Sequence, residues 1–263
     1  STRLLLALFS ATLVFAVFGV GVLRTDITWI DGLLECPGVA YALTLLVVAG
    51  FVNAVNIIDG FHGLASGTVV MMLTTLAVIA FLHDDGLMLR LCLVSSVATL
   101  GFAVWNWPFG KIFLGDGGAY LLGLWVVEVG LMLLHRSHDV SPMAPVLVGI
   151  YPLVETLYSM YRRKFLRAHP INHPDALHLH TLIYRRLMLN PARDASAGLK
   201  NKSNARVSVF CWVWVALPPC VAAVFFRQDT HALLISMLVF ALAYLWLYRA
   251  LVTFRVPRFL IWR

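Results

Sequence analysis

Charged residues are scarce in this chain of 263 residues. They make up 13% of it, against about a quarter of an ordinary soluble domain, whereas hydrophobic residues make up 60% and the mean hydropathy is +0.84. Only four cysteines are present, without the paired spacing of zinc ligands, and we expect no disulfide framework. The composition therefore excludes a soluble globular domain and predicts an integral membrane protein.

Long polar stretches are also few, and much of the chain falls into apolar runs of 15 to 21 residues. No run has the alternating period of a barrel strand, so helices are the spanning structure that lipid permits. The candidate spans are Leu4–Val22, Val39–Val55, Thr68–Leu82, Leu89–Val104, Ala119–Leu134, Met143–Tyr161, Val207–Phe226 and Ala232–Val252. We predict an all-α polytopic membrane protein, a single integral membrane domain over residues 1–263 with about eight transmembrane helices.

The basic residues are unevenly distributed between the two sides that alternating spans define. Sixteen of the twenty Lys and Arg residues would lie on one side, ten of them in the loop 162–206. Because cytoplasmic loops carry the excess of Lys and Arg, we expect this side, and the His-containing loop 162–206, to be cytoplasmic. The net charge of +7 is therefore an orientation signal, and we expect no nucleic-acid partner. Asp84 and Asp85 would lie on the other side, as a solvated turn.

The first polar motif follows the second apolar run. Asn53, Asn56 and Asp59 are three residues apart, so on a helix they project from roughly one face, and Gly60 and Gly63 follow them. Capping of a helix end is an alternative interpretation. Three polar residues at regular spacing at membrane depth are costly, and this favours a working site.

The second motif, Asn106 to Gly118, follows another apolar run. Asp116 lies among three glycines, which suits a hard divalent cation shared with substrate phosphates. Lys111 could add a point charge for phosphate. The alternative is a glycine-rich helix N-terminus whose dipole Asp116 complements.

The third motif, which we call the histidine segment (residues 169–186), lies in the basic loop. It contains His169, His173, His178 and His180, followed by Arg185 and Arg186. Arginine forks bind phosphate, and the density of histidines exceeds what a basic face against anionic lipid requires. A zinc site is an alternative, although no cysteine is nearby.

Together and in this order, the three motifs resemble those of the polyprenyl-phosphate N-acetylhexosamine-1-phosphate transferase family, which includes the phospho-N-acetylmuramoyl-pentapeptide transferases. The resemblance implies transfer of a sugar 1-phosphate from a UDP-N-acetylhexosamine to undecaprenyl phosphate, with Mg²⁺ as cofactor and Mn²⁺ as an alternative. It implies a multi-pass protein of the bacterial cytoplasmic (inner) membrane with a cytoplasmic active face, in contact with membrane lipid and open to homodimer formation.

The resemblance also implies roles for individual residues. Asp116 and Asn56 would hold the metal, and Asp59, His178 and His180 would join Asp116 as catalytic residues. The substrate-binding residues would be Asn53, Asn56, Lys111, Phe113, Arg185 and Arg186, with Phe113 stacking on uracil.

Some features depart from the family pattern. The family carries an earlier Asp-Asp pair that this sequence lacks, so we interpret the chain as an N-terminally shortened member. His62 stands where many members have Asp, and Thr181 where many have a further His. The latter favours O-antigen, capsule or similar glycan synthesis over peptidoglycan. Alternatives are a catalytically impaired member that binds lipid-linked sugar, and a metal or proton transporter.

Overall fold

The computed structural model describes residues 2–166, 177–188, 197–227 and 230–255. These residues form helices and no strand, so the predicted all-α class is confirmed. The α-helices are α1 Thr2–Phe18, α2 Thr28–Leu34, α3 Pro37–Ile58, α4 Leu64–Leu82, α5 Gly86–Asn106, α6 Gly115–Arg136, α7 Met143–Val148, α8 Ile150–Tyr161, α9 Leu179–Ile183, α10 Ala197–Val215, α11 Leu217–Phe225 and α12 Thr230–Val252. Short π-helical segments follow α8 and α9, at Arg162–Leu166 and Tyr184–Met188.

Six stretches of helix among the described residues are long and apolar enough to cross a membrane. They are α3, α4, α5, α6, α12 and the combined stretch Asn201–Phe225. The predicted count of eight is not confirmed. The apolar α1 is shorter, and the run Met143–Tyr161 is interrupted at Gly149, between α7 and α8. A β-carbon on Gly149 would lie only 2.3 Å from the ring of Phe51, so the interruption coincides with close packing against α3.

Small residues let the spanning helices approach closely. An ideal β-carbon on Gly123 of α6 would lie 3.0 Å from the Cα of Val52 on α3. Glycine at such a crossing allows backbone contact, which is a main source of helix association in lipid. The pairing of α3 with α6 brings together the two helices next to the first and second motifs.

The helix ends sort into two groups. The turn 59–63 between α3 and α4 and the turn 107–114 between α5 and α6 lie at one end, which we call the motif end. At the far end, Arg136 at the close of α6 binds Asp85 at the start of α5, with Nε 2.5 Å from Oδ2. Asp85 was expected in a solvated turn, but it is 9% exposed and caps α5 by accepting hydrogen bonds from the backbone of Leu87 and Met88.

Candidate active site

The first motif is positioned by the end of α3. The helix stops at Ile58, and the chain reverses through a turn in which Gly63 has a φ of +77°. Asn53 lies earlier on α3 and is bonded both within α3 and to α6. Its Nδ2 donates to Ala49 O at 2.7 Å and its Oδ1 accepts from the Tyr120 hydroxyl at 2.9 Å. Asn53 therefore connects α3 to α6.

The second motif is attached to the first by Asn106, the last residue of α5. Its Oδ1 accepts a hydrogen bond from the backbone N–H of Gly63 at 2.5 Å. Its Nδ2 donates to the carbonyl of Ile112 at 2.7 Å. Asn106 is 5% exposed, so its bond to Gly63 is shielded from water, and its bond to Ile112 is partly shielded.

A cavity of about 270 Å³ lies between the two motifs. Both motifs contribute to it, with one further residue from α10. Its lining consists of Asn56, Asp59, Gly60, Phe61, His62, Asn106, Phe113, Gly115, Asp116 and Asn204. Residues about fifty positions apart in the chain thus share one cavity at the motif end.

The cavity concentrates negative charge. Burial, and secondarily the negative charge of Asp116, raise the pKa of Asp59 to about 6. Asp116 is itself exposed, and its Oδ2 lies 2.5 Å from Nη1 of Arg3 at the start of α1. An exposed ion pair of this kind contributes little to stability, so another cation could replace Arg3 beside Asp116 at little cost.

The donor set fits a hard divalent cation. Mg²⁺ binds through one or two carboxylates and completes its shell with water and substrate phosphate. Asp59, Asp116 and the Asn56 amide are oxygen donors on one cavity, where burial first and the charge of Asp116 second raise the pKa of Asp59. Among the described residues no group of three or more His, Cys, Asp or Glu is placed to bind a metal. The described part of the cavity thus supplies too few ligands for an all-protein metal cage but enough for a magnesium–phosphate site.

Two aromatic rings form one wall of the cavity. Phe113 is 72% exposed, and its ring centroid lies 5.7 Å from that of His62. Two hydrogen bonds join the His62 backbone to α10. Its N–H donates to Asn204 Oδ1 at 2.8 Å, and its carbonyl accepts from the Ser208 hydroxyl at 2.6 Å. The His62 Nδ1 atom is buried and has no hydrogen-bond partner in the described chain. This wall offers a flat aromatic surface to a planar ligand.

The histidines of the third motif lie behind the cavity. His178 and His180 are both buried, and neither is among the described residues that line the cavity. An ideal β-carbon on Gly60 would lie 3.1 Å from His180 Nε2, and the His180 ring lies 5.5 Å from that of Phe61. Burial lowers the pKa of His180 to about 4, so this ring is neutral at pH 7. His169 and His173 lie outside the described residues.

The predicted phosphate-binding cations are also outside the cavity lining. Lys111 Nζ lies over the rings of Trp105 and Phe109, at 5.1 and 5.6 Å from their centroids. Arg186 stacks on Phe254 with its Cζ 3.6 Å from the ring centroid, and Arg185 is exposed. The structure therefore brings Asn56, Asp59, Phe113 and Asp116 together in the cavity, and it does not place Lys111, Arg185 or Arg186 among the described residues that line it.

Sequence reasoning assigned no site role to two polar residues of the cavity, Asn106 and Asn204. Asn106 ends an apolar run, as Asn53 and Asn56 do, so the same polar-residue signal was available for it. Asn204 lies in the polar first half of α10 and had no distinguishing signal. Its place in the cavity depends on the packing of α10 against α4, where an ideal β-carbon on Gly67 would lie 2.4 Å from the Trp212 ring.

Comparison with known proteins gives a consistent picture. Over 147 residues, 56% of this chain, the sequence is 39% identical to "Probable undecaprenyl-phosphate N-acetylglucosaminyl 1-phosphate transferase" of Bacillus subtilis (strain 168), and the match covers 41% of that protein. It is 34% identical over 146 residues, 52% of this chain, to "Phospho-N-acetylmuramoyl-pentapeptide-transferase" of Lactococcus lactis subsp. cremoris (strain MG1363), covering 43% of it.

A protein with the same description from Staphylococcus haemolyticus (strain JCSC1435) is 29% identical over 145 residues, which are 51% of this chain and 43% of that protein. The chain thus spans less than half the length of these relatives. The model of the family described as Glycosyl transferase family 4 matches residues 1–134, just over half of the chain and the part that carries the first two motifs. The chain belongs to glycosyl transferase family 4.

Proposed function

We propose that this protein transfers an N-acetylhexosamine 1-phosphate from a UDP-sugar to undecaprenyl phosphate, or a related polyprenyl phosphate, giving a polyprenyl-diphosphate sugar and UMP. The observation that carries the proposal is that Asn56, Asp59 and Asp116 line one cavity at the end of the spanning helices. Family membership and the names of the relatives support the same class of reaction.

The proposed step is a phosphoryl transfer. An oxygen of the lipid phosphate forms a bond to the phosphorus that carries the sugar. The bond from that phosphorus to the bridging oxygen of the diphosphate breaks, and UMP leaves with that oxygen and the electron pair. Such a reaction asks mainly for positioning and charge neutralisation. In this proposal the aromatic wall of the cavity positions the substrate, and its acidic residues hold the cation that neutralises charge.

In the proposal Asp116, Asn56 and Asp59 hold Mg²⁺, with Mn²⁺ as an alternative. The ion would neutralise the diphosphate and stabilise the negative charge that develops as UMP leaves. The Phe113 ring would stack on uracil, and His62 would border the same subsite. Lys111, Arg185 and Arg186 lie outside the cavity lining, and we propose that they meet phosphate as the substrates enter.

The location of the cavity suits a lipid acceptor. It lies where apolar helices give way to polar turns, so a polyprenyl chain could stay in lipid while its phosphate reaches the cavity. The topology predicted from the sequence assigns most of the basic residues to the side of the three motifs, which supports a cytoplasmic face in a bacterial inner membrane. We propose that the product initiates a cell-envelope glycan such as O-antigen or capsule.

The test is UMP release from membranes that contain the full-length gene product, given undecaprenyl phosphate and a panel of UDP-sugars. We expect Mg²⁺-dependent release with a UDP-N-acetylhexosamine. Asp116→Asn and Asp59→Asn should each reduce the rate by about a hundredfold or more, as loss of a main charge-stabilising group does. The control is Asp84→Asn at the far end, which should retain wild-type turnover.

Other results would exclude this function. Binding of UDP-sugar without UMP would favour the impaired, sugar-binding alternative. Flux of divalent ions or protons into proteoliposomes without UMP release would favour a transporter.

A further inference from the structure

A carboxylate lies buried beside the histidine segment. Glu155 is on α8 and is 1% exposed. Its Oε1 lies 2.9 Å from Nδ1 of His178, and its two oxygens accept from the backbone N–H of Leu179 at 3.2 and 3.3 Å. One side chain of α8 therefore makes contacts with two consecutive residues of the histidine segment.

These contacts determine how the His178 ring is held. The carboxylate is an acceptor toward Leu179 N–H, and we assign the proton of the His178 contact to Nδ1. A histidine whose Nδ1 donates to a carboxylate has its ring orientation fixed and its Nε2 available for another partner. Glu155 thereby fixes both the rotation of the ring and the position of its proton.

Packing contacts link His178, through His180, to residues that line the cavity. The rings of His178 and His180 are stacked, with centroids 5.3 Å apart and planes 11° apart. His180 in turn packs against Gly60 and Phe61, which line the cavity. A continuous chain of contacts thus runs from Glu155 through two imidazoles to the first motif.

Stability alone is a weak explanation for this arrangement. A buried carboxylate costs free energy of desolvation, and well-packed apolar groups in place of a buried ion pair are often as stable or more so. The surroundings of Glu155 are polar on several sides, since Tyr151 and Tyr244 are buried next to it as well. A buried polar cluster next to a cavity is suited to fixing side-chain geometry.

We propose that Glu155 is a positioning residue of the transferase, which acts through His178 and His180 to hold the Gly60–Phe61 wall where the UDP-sugar binds. This inference rests on the proposed function. It assigns Glu155 no contact with substrate. Its effect is on the placement of the wall, and loss of the carboxylate should therefore weaken use of the UDP-sugar more than use of the polyprenyl phosphate.

The test is a double-mutant cycle of Glu155→Gln and His178→Ala in the full-length protein, with KM measured for each substrate. We expect each single substitution to raise the KM for the UDP-sugar by about tenfold, as loss of an orienting partner does. The double variant should be no worse than the single ones, and the KM for the polyprenyl phosphate should stay within about twofold. A merely structural role would reduce the amount of active enzyme and leave both KM values unchanged.

Glu128→Gln is the matched control. Glu128 is a carboxylate of α6 whose buried Oε1 has no hydrogen-bond partner in the described part of the chain. It lies away from the histidine segment in sequence, and this variant should keep the wild-type KM for both substrates. Unchanged KM values in Glu155→Gln, or additive effects in the double variant, would overturn the proposal.

A second measurement is independent of turnover. Carbethoxylation by diethyl pyrocarbonate, followed by mass spectrometry, reports how accessible each imidazole is. His178 and His180 should react slowly in the wild type and at least about fivefold faster in Glu155→Gln, with the exposed His135 as internal reference. Equal rates would overturn the positioning role. If the wild type releases no UMP from any UDP-sugar, the transferase proposal fails, and the modification rates alone decide whether Glu155 holds the histidines.

Discussion

The backbone N–H of Gly63 donates to the side-chain oxygen of Asn106 across 2.5 Å. This bond joins the turn after the first motif to the last residue of α5. The side-chain nitrogen of Asn106 donates to Ile112 O, one residue before Phe113 of the second motif. A single buried side chain therefore determines the spacing between two loops that are both part of the cavity.

Replacing Asn106 by Asp should disturb this spacing with almost no change in shape. Aspartate keeps an acceptor for Gly63 N–H but sets an oxygen against the Ile112 carbonyl in place of a donor. The unfavourable contact should cost about 1–3 kcal/mol, seen as a lower thermal midpoint in detergent and a lower rate of UMP release. Asn201→Asp adds the same charge at an exposed site of α10 and serves as control. Equal behaviour of the two variants would contradict the joining role of Asn106.

Gly63→Ala should destabilise the protein for two independent reasons. The φ of +77° is unfavourable for any residue with a β-carbon, and that carbon would lie 2.6 Å from Cβ of Trp107. We expect a loss of about 1–3 kcal/mol in the free energy of unfolding, measured by thermal unfolding in detergent. Gly86→Ala at the start of α5 meets no atom within 4 Å and should be neutral or slightly stabilising. A neutral Gly63→Ala variant would mean that the turn differs from the one described.

The pairing of Asp85 with Arg136 at the far end should make the stability of the protein depend on pH. The hydrogen bond from Arg136 lowers the pKa of Asp85 below its ordinary value. Asp85 therefore contributes stability above the pKa of the unfolded carboxyl, about 3.9, and the contribution is lost as the pH falls through the folded pKa. Asp85→Asn keeps a capping side chain and removes the charge. Its Tm should be roughly 2–4 °C below that of the wild type at pH 7.

The Tm difference between wild type and Asp85→Asn should begin to shrink as the pH falls below about 4, where the unfolded carboxyl takes up a proton. It should be lost once the pH has fallen below the lowered pKa of folded Asp85, because both proteins then carry a neutral side chain. A difference that stays constant from pH 7 to pH 3 would rule out the charge of Asp85 as its cause.

The two ends of the helices should face opposite sides of the membrane. Cys36 is exposed beside the start of α3, at the far end, whereas Lys111 is exposed at the motif end. In a Cys220→Ser, Lys111→Cys background, a membrane-impermeant maleimide on intact cells should label Cys36. The cysteine at position 111 should be labelled only after the membrane is opened. Labelling of position 111 in intact cells would contradict a cytoplasmic cavity.

Local features allowed much of the fold and part of the site to be predicted. A run of apolar residues is enough to specify a spanning helix, because lipid demands internal hydrogen bonding along the whole segment. Asn56, Asp59 and Asp116 could be selected because polar groups at the end of such a run are costly. Neither argument says which segments lie next to each other in the folded protein. The joining role of Asn106 and the contribution of Asn204 therefore could not be predicted.

Other expectations depended on contacts between distant residues. Glu155 had no identifiable partner in the sequence, and His178, its partner, follows 23 residues later. Lys111 could equally face phosphate or an aromatic ring, and the fold places it over Trp105 and Phe109. Gly149 gave no sign of a helix break, since that depends on how Phe51 of α3 packs against it.

The sequence by itself determined the membrane environment, the helical class and the polar residues at the ends of the spans, because hydrophobicity, length and hydrogen-bonding demand are properties of single segments. Only the tertiary structure decided which of those polar residues share a cavity and which stand behind it. Such placement follows from helix crossings at residues such as Gly123 and from buried hydrogen bonds between distant residues such as Gly63 and Asn106, and neither is encoded in any one segment.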